Sequence, residues 1–417
     1  MSSDTKTSLQ RAASKMLGGS LAVVVLQAIN FALLARSLGA AEYGTLATIN
    51  SAASLLLPLA GLGYGSVMLM RVAREAQHAP VALGNALSVQ LVTGSAGAAI
   101  GAAAVVMISS TPVAFGVALI VLLGELVFMR TAVTAAQLFS ALEQQGRASV
   151  INVATSCARV ASVLVAIIVS DRVTALVWAS LFLAFSIMFA AALIWFMARA
   201  AGGLSVDWKA IGKDLGHGTD FSLGTLAKAI YTDADKLVLA RFGTAADVGT
   251  YAAAYRVAAM SFMPVRAMLD AAAGRFFRQG QGGIAQALAL SRRVLTFALP
   301  YSLGVAAVLV LGADYLPLVF GAGYAKAIPL IKWLAVLPVI QAVHYTLSDA
   351  LSGAGYQRYR MVAQFVVVVF YLATALVVIP QFRAPGAALT CLASELLLAV
   401  IIAALVITLY RRQKESR

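Results

Sequence analysis

The sequence predicts an all-α integral membrane fold, with about twelve transmembrane helices in two parallel-repeat six-helix lobes around a central cavity. Three observations predict it: a composition that water cannot solvate, twelve apolar runs of spanning length, and an internal repeat near half the chain length. Of 417 residues, 61% are hydrophobic and only 12% are charged, and mean hydropathy is +0.89. Soluble domains carry about a quarter charged residues, so a bilayer is the natural solvent. This balance excludes a collagenous or disordered chain and leaves no room for a soluble catalytic domain.

A spanning helix needs about 20 mostly apolar residues. The apolar runs place spans at 16–35, 45–69, 83–108, 112–138, 149–170, 174–197, 219–240, 249–270, 293–312, 328–351, 360–380 and 386–410. Span 1, behind Lys6, Arg11 and Lys15, has the outline of a signal peptide. Gln27 and Asn30 interrupt it, and its loss would leave an odd number of spans, so retention is expected. In span 3, Gly94, Gly97 and Gly101 form a small-residue face that lets backbones approach closely. Pro58, Pro264 and Pro338 fall inside spans 2, 8 and 10, where a missing N–H permits bending.

The basic residues set the topology. With a cytoplasmic N-terminus, the inner segments hold nineteen Lys and Arg residues, and the outer segments hold Arg36, Arg172, Arg241, Lys326 and Arg383. The positive-inside rule then puts both termini in the cytoplasm. Most of the net charge of +14 is therefore topological, and no nucleic-acid partner is implied.

The chain repeats itself. A shift of 205 positions aligns Leu34–Ala47 with Leu239–Ala252, with eight of fourteen residues identical and Glu42 opposite Asp247. Pro58 corresponds to Pro264 at an offset of 206, and Ala141-Leu142 with Gly146 corresponds to Ala350-Leu351 with Gly355 at 209. Spans 1, 2 and 4 thus map onto 7, 8 and 10, each copy with the same orientation, a parallel duplication. The expected organisation is an N-lobe at 1–200, a polar cytoplasmic linker at 201–218 and a C-lobe at 219–417. No outer loop exceeds about twenty residues, which argues against extracytoplasmic chemistry. Homologous lobes meeting around a cavity are how many transporters alternate access.

Catalytic and metal motifs are scarce. Cys157 and Cys391 lie in separate apolar runs, and His78, His217 and His344 are far apart, so no disulfide framework or zinc site is expected. No phosphate-binding G-x-x-x-x-G-K-[ST] loop is present. Asp233-Ala234-Asp235 spells the D-x-D of nucleotide-sugar enzymes, yet it lies within an apolar helix, away from any water-exposed metal site.

Charges within the spans are the informative residues, because one at mid-membrane costs about 2.5–3.5 kcal/mol on insertion scales. Lys236, Lys332 and Asp270 lie near span ends and are expected to reach the headgroups. Arg130, Arg159, Lys228, Arg256 and Arg266, from spans 4, 5, 7 and 8, are candidate cations of the cavity, and they suit an anionic cargo. The alternative is that the bases pair with Glu125, Asp233 and Asp235 and lock helices together.

Leu34-Ala35-Arg36-x-Leu38-Gly39-x-x-x-Tyr43-Gly44 resembles a signature of the polysaccharide-transporter (Wzx-type) flippases of the multidrug/oligosaccharidyl-lipid/polysaccharide exporter superfamily. Asp235 followed by Gly243, Val248-Gly249-x-Tyr251-x-x-Ala254-x-Arg256 resembles that family's span 7–8 pattern. Phe320-Gly321-x-x-Tyr324-x-x-Ala327 with Leu351-x-Gly353-x-Gly355 resembles its span 10 region. Arg36, Gly39, Gly44, Gly249 and Tyr251 are the family-motif residues.

The resemblance implies a non-enzymatic transporter of the bacterial cytoplasmic membrane, and a two-lobed chain can work as a monomer. Its implied task is to move a polyprenyl-pyrophosphate-linked oligosaccharide repeat unit outward for exopolysaccharide, O-antigen or capsule assembly, beside other assembly proteins. Arginine binds phosphate bidentately, which would suit the pyrophosphate. The interior-negative potential favours outward movement of an anion by about 2.3 kcal/mol per charge per 100 mV. No cofactor is expected. Carrier return would use H⁺ or Na⁺, with Glu125, Asp233 and Asp235 as coupling candidates. A multidrug or cation antiporter of the same superfamily, and a membrane polysaccharide polymerase or ligase, remain alternatives. Organic cations would favour acidic spans, and a polymerase or ligase would need a long outer loop.

Overall fold

Gly39 sets the first turn of the architecture. In the computed structural model, which describes residues 3–415, two helical limbs of α1 (Ser3–Leu56) meet there at φ +72°. Side chains are not described at 3–21, 213–218, 220–221, 223–225, 227–228 and 231. Only glycine reaches that left-handed conformation without a Cβ penalty. The elements that follow are all helical: α2 (Tyr64–Arg74), α3 (Ala79–Ile108), α4 (Phe115–Leu123), a π-helical stretch Gly124–Met129, and α5 (Arg130–Ala141). Then come α6 (Gln145–Val169), α7 (Ala175–Ala201), α8 (Trp208–Phe242), α9 (Ala245–Ser261), α10 (Met263–Gly280) and α11 (Ile284–Gly312). The chain ends with α12 (Leu316–Phe320), α13 (Ala327–Leu334), α14 (Leu337–Gly353) and α15 (Gln357–Glu415).

Among the described residues, eight helical stretches are long and apolar enough to cross a membrane. Two of them are double: α1 bends at Gly39, and α15 bends at Arg383 with φ +50°. The charged α8 and the interrupted pair α9–α10 complete twelve spans. The fold is all-α and integral to the membrane, as the sequence predicts.

By contact the chain divides into two compact units, Met1–Ala246 and Asp247–Arg417. In the first, α8 packs on α1, α2 and α3. The expected linker 201–218 is a short loop, 203–207, followed by the opening turns of α8. That loop is tied down: the Ser205 N–H donates to the Pro80 carbonyl (3.2 Å) and the Asp207 N–H to Asn85 Oδ1 (2.8 Å). Asp207 then caps α8 by accepting from the Lys209 and Ala210 N–H groups at 3.0 and 3.1 Å.

The glycine face of α3 does what its spacing suggests. A Cβ on Gly94 would sit 2.7 Å from the Leu126 carbonyl oxygen, and one on Gly101 would sit 2.5 Å from Leu56. Close approach brings Gln90 of α3 against the π-helical stretch. Its amide donates to the Val127 carbonyl (2.7 Å) and to Thr131 Oγ1 (3.2 Å), and its oxygen accepts from Thr134 Oγ1 (2.8 Å). A π-helical turn shifts the backbone ladder, and the buried Gln90 satisfies the carbonyl this exposes. A buried cluster containing Tyr64, Met68, Leu83, Phe139 and Met197 forms the apolar core nearby.

In the second unit, Phe262, Leu269, Phe276, Val294 and Ala350 form the corresponding core, from α10, α11 and α14. The spans expected as continuous helices at 45–69, 249–270 and 328–351 are interrupted. Span 2 opens at 57–63, span 8 at Phe262 and span 10 at 335–336. The prolines explain this. Pro264 and Pro338 occupy the first turn of α10 and α14, where no N–H is required, and Pro58 lies in the turn after α1. Pro264 and Pro338 begin helices, and Pro58 sits in a turn, so none of the three bends a continuous helix.

Backbone irregularities recur at repeat-related positions. Gly39 aligns with Thr244, at the α8–α9 junction, and Pro58 with Pro264. The π-helical residues 124–129 align with 333–338, which contain the 335–336 break. The repeat is thus written in the backbone as well as the sequence.

Candidate functional site

The intramembrane charges form separate clusters within each unit. In the first, Glu125 opens the π-helical stretch and Arg159 projects from α6. Their contact is bidentate: Nη1 donates to Oε1 at 2.5 Å and Nη2 to Oε2 at 2.6 Å. The side chains are 31% exposed for Arg159 and 15% for Glu125, so the pair is screened from most solvent. The Arg159 guanidinium also lies 5.5 Å from the Phe182 ring centre, which stacks on Trp178. A planar fork on a carboxylate and an aromatic face holds that cation in one orientation.

Arg130 is held differently. Its Nη1 donates to the Leu57 carbonyl at 2.6 Å, capping the interruption in span 2, and its guanidinium lies beside Gly61. Among the described residues no carboxylate lies within 4.0 Å of it. Among the described residues Arg130 is therefore a cation of span 4 held by a backbone carbonyl and not by a carboxylate.

On α8, Lys236 is nearly buried, contrary to the expectation that it reaches the headgroups. Its ammonium bonds the Thr232 carbonyl (2.9 Å), Asp233 Oδ1 (3.0 Å) and Asp235 Oδ1 (3.2 Å). Two acids one and three residues back on the same helix draw it inward, which costs less than leaving buried Asp235 unpaired. The Lys228 side chain lies outside the described residues.

In the second unit Arg256 is exposed and Arg266 half-buried, paired with Asp270 at 3.1 Å and lying 5.0 Å from the Tyr345 ring centre. Lys332, partly exposed, pairs with Asp314 at 2.9 Å. Arg360 contacts Asp349 at 3.3 Å.

Sequence reasoning missed one cluster. His344 and Gln341, one turn apart on α14, both reach Glu395 of α15. His344 Nε2 lies 2.6 Å from Oε2, and Gln341 Nε2 donates to Oε1 at 3.0 Å. The available signal was a Gln and a His at i, i+3 in an apolar helix. Their acid is 54 residues away, so only tertiary structure joins them.

Of the motif residues, Arg36 is exposed, Gly39 makes the bend, and Gly44, Gly249 and Tyr251 are buried. Glu42 between them accepts from the Ala175 N–H at 2.5 Å, placing a carboxylate at the N-terminus of α7.

The family model for polysaccharide biosynthesis proteins matches residues 9–273, more than half of the chain. The chain belongs to this family. The resemblance carried by the Leu34–Gly44 and span 7–8 motifs is thereby borne out. Among curated proteins no sequence match is found.

Solved structures share the fold. An inward-facing multidrug resistance MATE transporter of the MOP superfamily matches with a TM-score of 0.73 at 14% identity, over 96% of this chain and 99% of that one. The lipid II flippase MurJ, in an inward closed conformation, matches with a TM-score of 0.71 at 11% identity, over 93% and 86%. A Pyrococcus furiosus MOP transporter, described as having a binding pocket of reversed polarity, matches with a TM-score of 0.60 at 14% identity, over 95% of each chain. This member of the polysaccharide biosynthesis family is thus a multi-pass membrane protein of transporter and flippase fold.

Proposed function

We propose that the protein moves a polyprenyl-pyrophosphate-linked oligosaccharide repeat unit from the cytoplasmic to the outer face of the bacterial cytoplasmic membrane by alternating access. The repeat unit would feed exopolysaccharide, O-antigen or capsule assembly, and both termini would lie in the cytoplasm. The observation that carries this reading is the family match over residues 9–273. The charge of Arg130 supports it, since a guanidinium within a span and without a carboxylate partner among the described residues favours an anionic cargo over a cationic drug. In this reading Arg130, with Arg159 and Lys228 of the same unit, contacts the pyrophosphate while the polyprenyl tail stays in lipid, and Arg256 and Arg266 of the second unit remain further candidate cations.

Arg159 enters this set only by exchanging one oxyanion for another, because Glu125 already satisfies both arms of its fork. Glu125, Asp233 and Asp235 remain proposed coupling groups. A deletion strain tests the reading: lipid-linked repeat units should accumulate on the cytoplasmic leaflet. Unchanged glycan at the cell surface would refute it.

A further inference from the structure

We propose that the second unit carries a binding surface for anionic phospholipids at the end where α10, α11, α14 and α15 meet. The surface holds headgroup phosphates at the level where these helices leave the membrane. It goes beyond the cargo reading above and does not depend on it.

Close contacts gather this end. Gly280, the last residue of α10, and Gly353, the last of α14, pack backbone to backbone, with no room for a Cβ on either. The Tyr356 N–H donates to the Leu351 carbonyl (2.8 Å), which sets the start of α15 on the end of α14. At the far end of α15, the Gln413 amide donates to the Gly282 carbonyl (3.3 Å), and its oxygen accepts from the Ala285 N–H (3.1 Å) at the start of α11. The bend of α15 at Arg383 returns the helix to the face it left.

Five exposed arginines stand here at one depth. Arg292 and Arg293 lie where span 9 begins, Arg358 two residues before span 11, and Arg411 and Arg412 just after span 12. Exposed Arg275 and Arg278 continue outward on α10, about 8 and 12 Å past the end of span 8 at the helical rise per residue. Lys414 extends the end of α15. Among the described residues none of these eight bases has a carboxylate within 4.0 Å. The sequence holds no acid at 271–313, 350–394 or 396–414. Of the flanking acids, Asp270 pairs with Arg266 and Asp349 with Arg360.

Depth argues for lipid. About one turn into the membrane from these arginines lie exposed apolar side chains: Phe297 on α11, Val362 at the start of α15 and Ile407 near its end. A phospholipid meets both layers at once, with phosphate oxygens on the guanidinium groups and acyl chains on these side chains. An acidic segment of a partner protein would reach the bases and not the apolar layer. Arginine also suits phosphate, because its planar fork bonds two oxygens in parallel, whereas lysine offers a point charge. The positive-inside rule assigns this end to the cytoplasm, whose leaflet carries a negative surface potential. Charges that only orient the chain need neither a common depth nor an absence of acids. The first unit shows the difference: Glu75, Glu143 and Asp207 stand among Arg74, Arg147 and Lys209 at its helix ends.

The test uses the full chain in phosphatidylcholine vesicles with a trace of spin-labelled lipid. Electron spin resonance should show phosphatidylglycerol immobilised on the protein about threefold or more over phosphatidylcholine, a preference that weakens at about 1 M salt. Arg292→Gln, Arg293→Gln, Arg411→Gln and Arg412→Gln together should remove most of that preference. A charge-matched variant of the first unit, Arg74→Gln, Arg147→Gln, Arg199→Gln and Lys209→Gln, should keep most of it. Equal retention of the two lipids by wild type would overturn the proposal. So would equal losses in the two variants, or no loss in the first. Should the first variant fail to insert, Arg411→Gln with Arg412→Gln decides, since both lie at the exposed end of α15, and an unchanged preference there refutes it. The vesicles contain no glycan, so the result stands whether or not deletion of the chain alters surface glycan.

Discussion

Removing the negative charge of Glu125 separates two roles that Arg159 could play. The pair is bidentate at 2.5 and 2.6 Å, with side chains 15% and 31% exposed. Losing one partner of a fully buried pair costs about 3–5 kcal/mol, whereas exposed pairs contribute about 0.2–1 kcal/mol. This half-screened pair falls between, so Glu125→Gln should destabilise the protein by about 2 kcal/mol. Arg159→Gln should cost about as much. The double substitution should cost far less than the sum, because no charge is then left unpaired.

Reversible unfolding in mixed micelles measures this cycle, and a coupling below about 0.5 kcal/mol would refute the ion-pair reasoning. Complementation of a deletion strain adds the functional arm. If Arg159 contacts cargo, Arg159→Gln and the double variant both lose export, and Glu125→Gln retains it in proportion to folded protein. If the pair only locks α6 to the π-helical stretch, the double variant exports like wild type.

Arg130→Gln should lower glycan export by about tenfold or more, since a charge-assisted hydrogen bond contributes about 1.5–3 kcal/mol. Export normalised to membrane-inserted protein checks this, and unchanged export removes Arg130 from the cargo contacts. Gly94→Val should destabilise the first unit by about 1–3 kcal/mol through overpacking, because a Cβ there would already press on the Leu126 carbonyl at 2.7 Å. Thermal stability in detergent measures it, and a variant as stable as wild type would show that α3 and the π-helical stretch can separate freely.

The twelve spans and the repeat were legible because both are properties of long windows. A 20-residue apolar run integrates many weak preferences, and the Leu34–Ala47 match survives individual substitutions. The interruptions were half legible. Pro58, Pro264 and Pro338 marked them, but a proline is compatible with a bend or with a new helix start, and only packing decides. The π-helical turn at Gly124–Met129 was hard to read locally, since its Val127 carbonyl accepts from Gln90 of another helix as well as from the Thr131 hydroxyl four residues on. Lys236 was misjudged for a related reason. Position near a span end favours the headgroups, yet Asp233 and Asp235 on the same helix outweigh that pull. His344 and Glu395 looked like isolated polar residues because their contact spans two helices.

The two copies share where the backbone breaks and differ in what fills the break. In the first, the irregular stretch of span 4 carries Glu125, braced by Arg159 of α6, while Gln90 of α3 satisfies its displaced carbonyl. In the second, the repeat-related stretch 333–338 has no charge at Leu334, the position equivalent to Glu125. The polar groups stand one turn further on, at Gln341 and His344, and face an acid on α15 instead. A conserved bend with relocated chemistry follows from different costs. Backbone geometry is fixed by packing of the whole helix, as at Gly94 and Leu126, and changes to it are felt by every neighbour. A polar cluster needs only that its own members remain mutually satisfied, so a duplicated half can carry its polar groups at another position of the same helix without moving that helix.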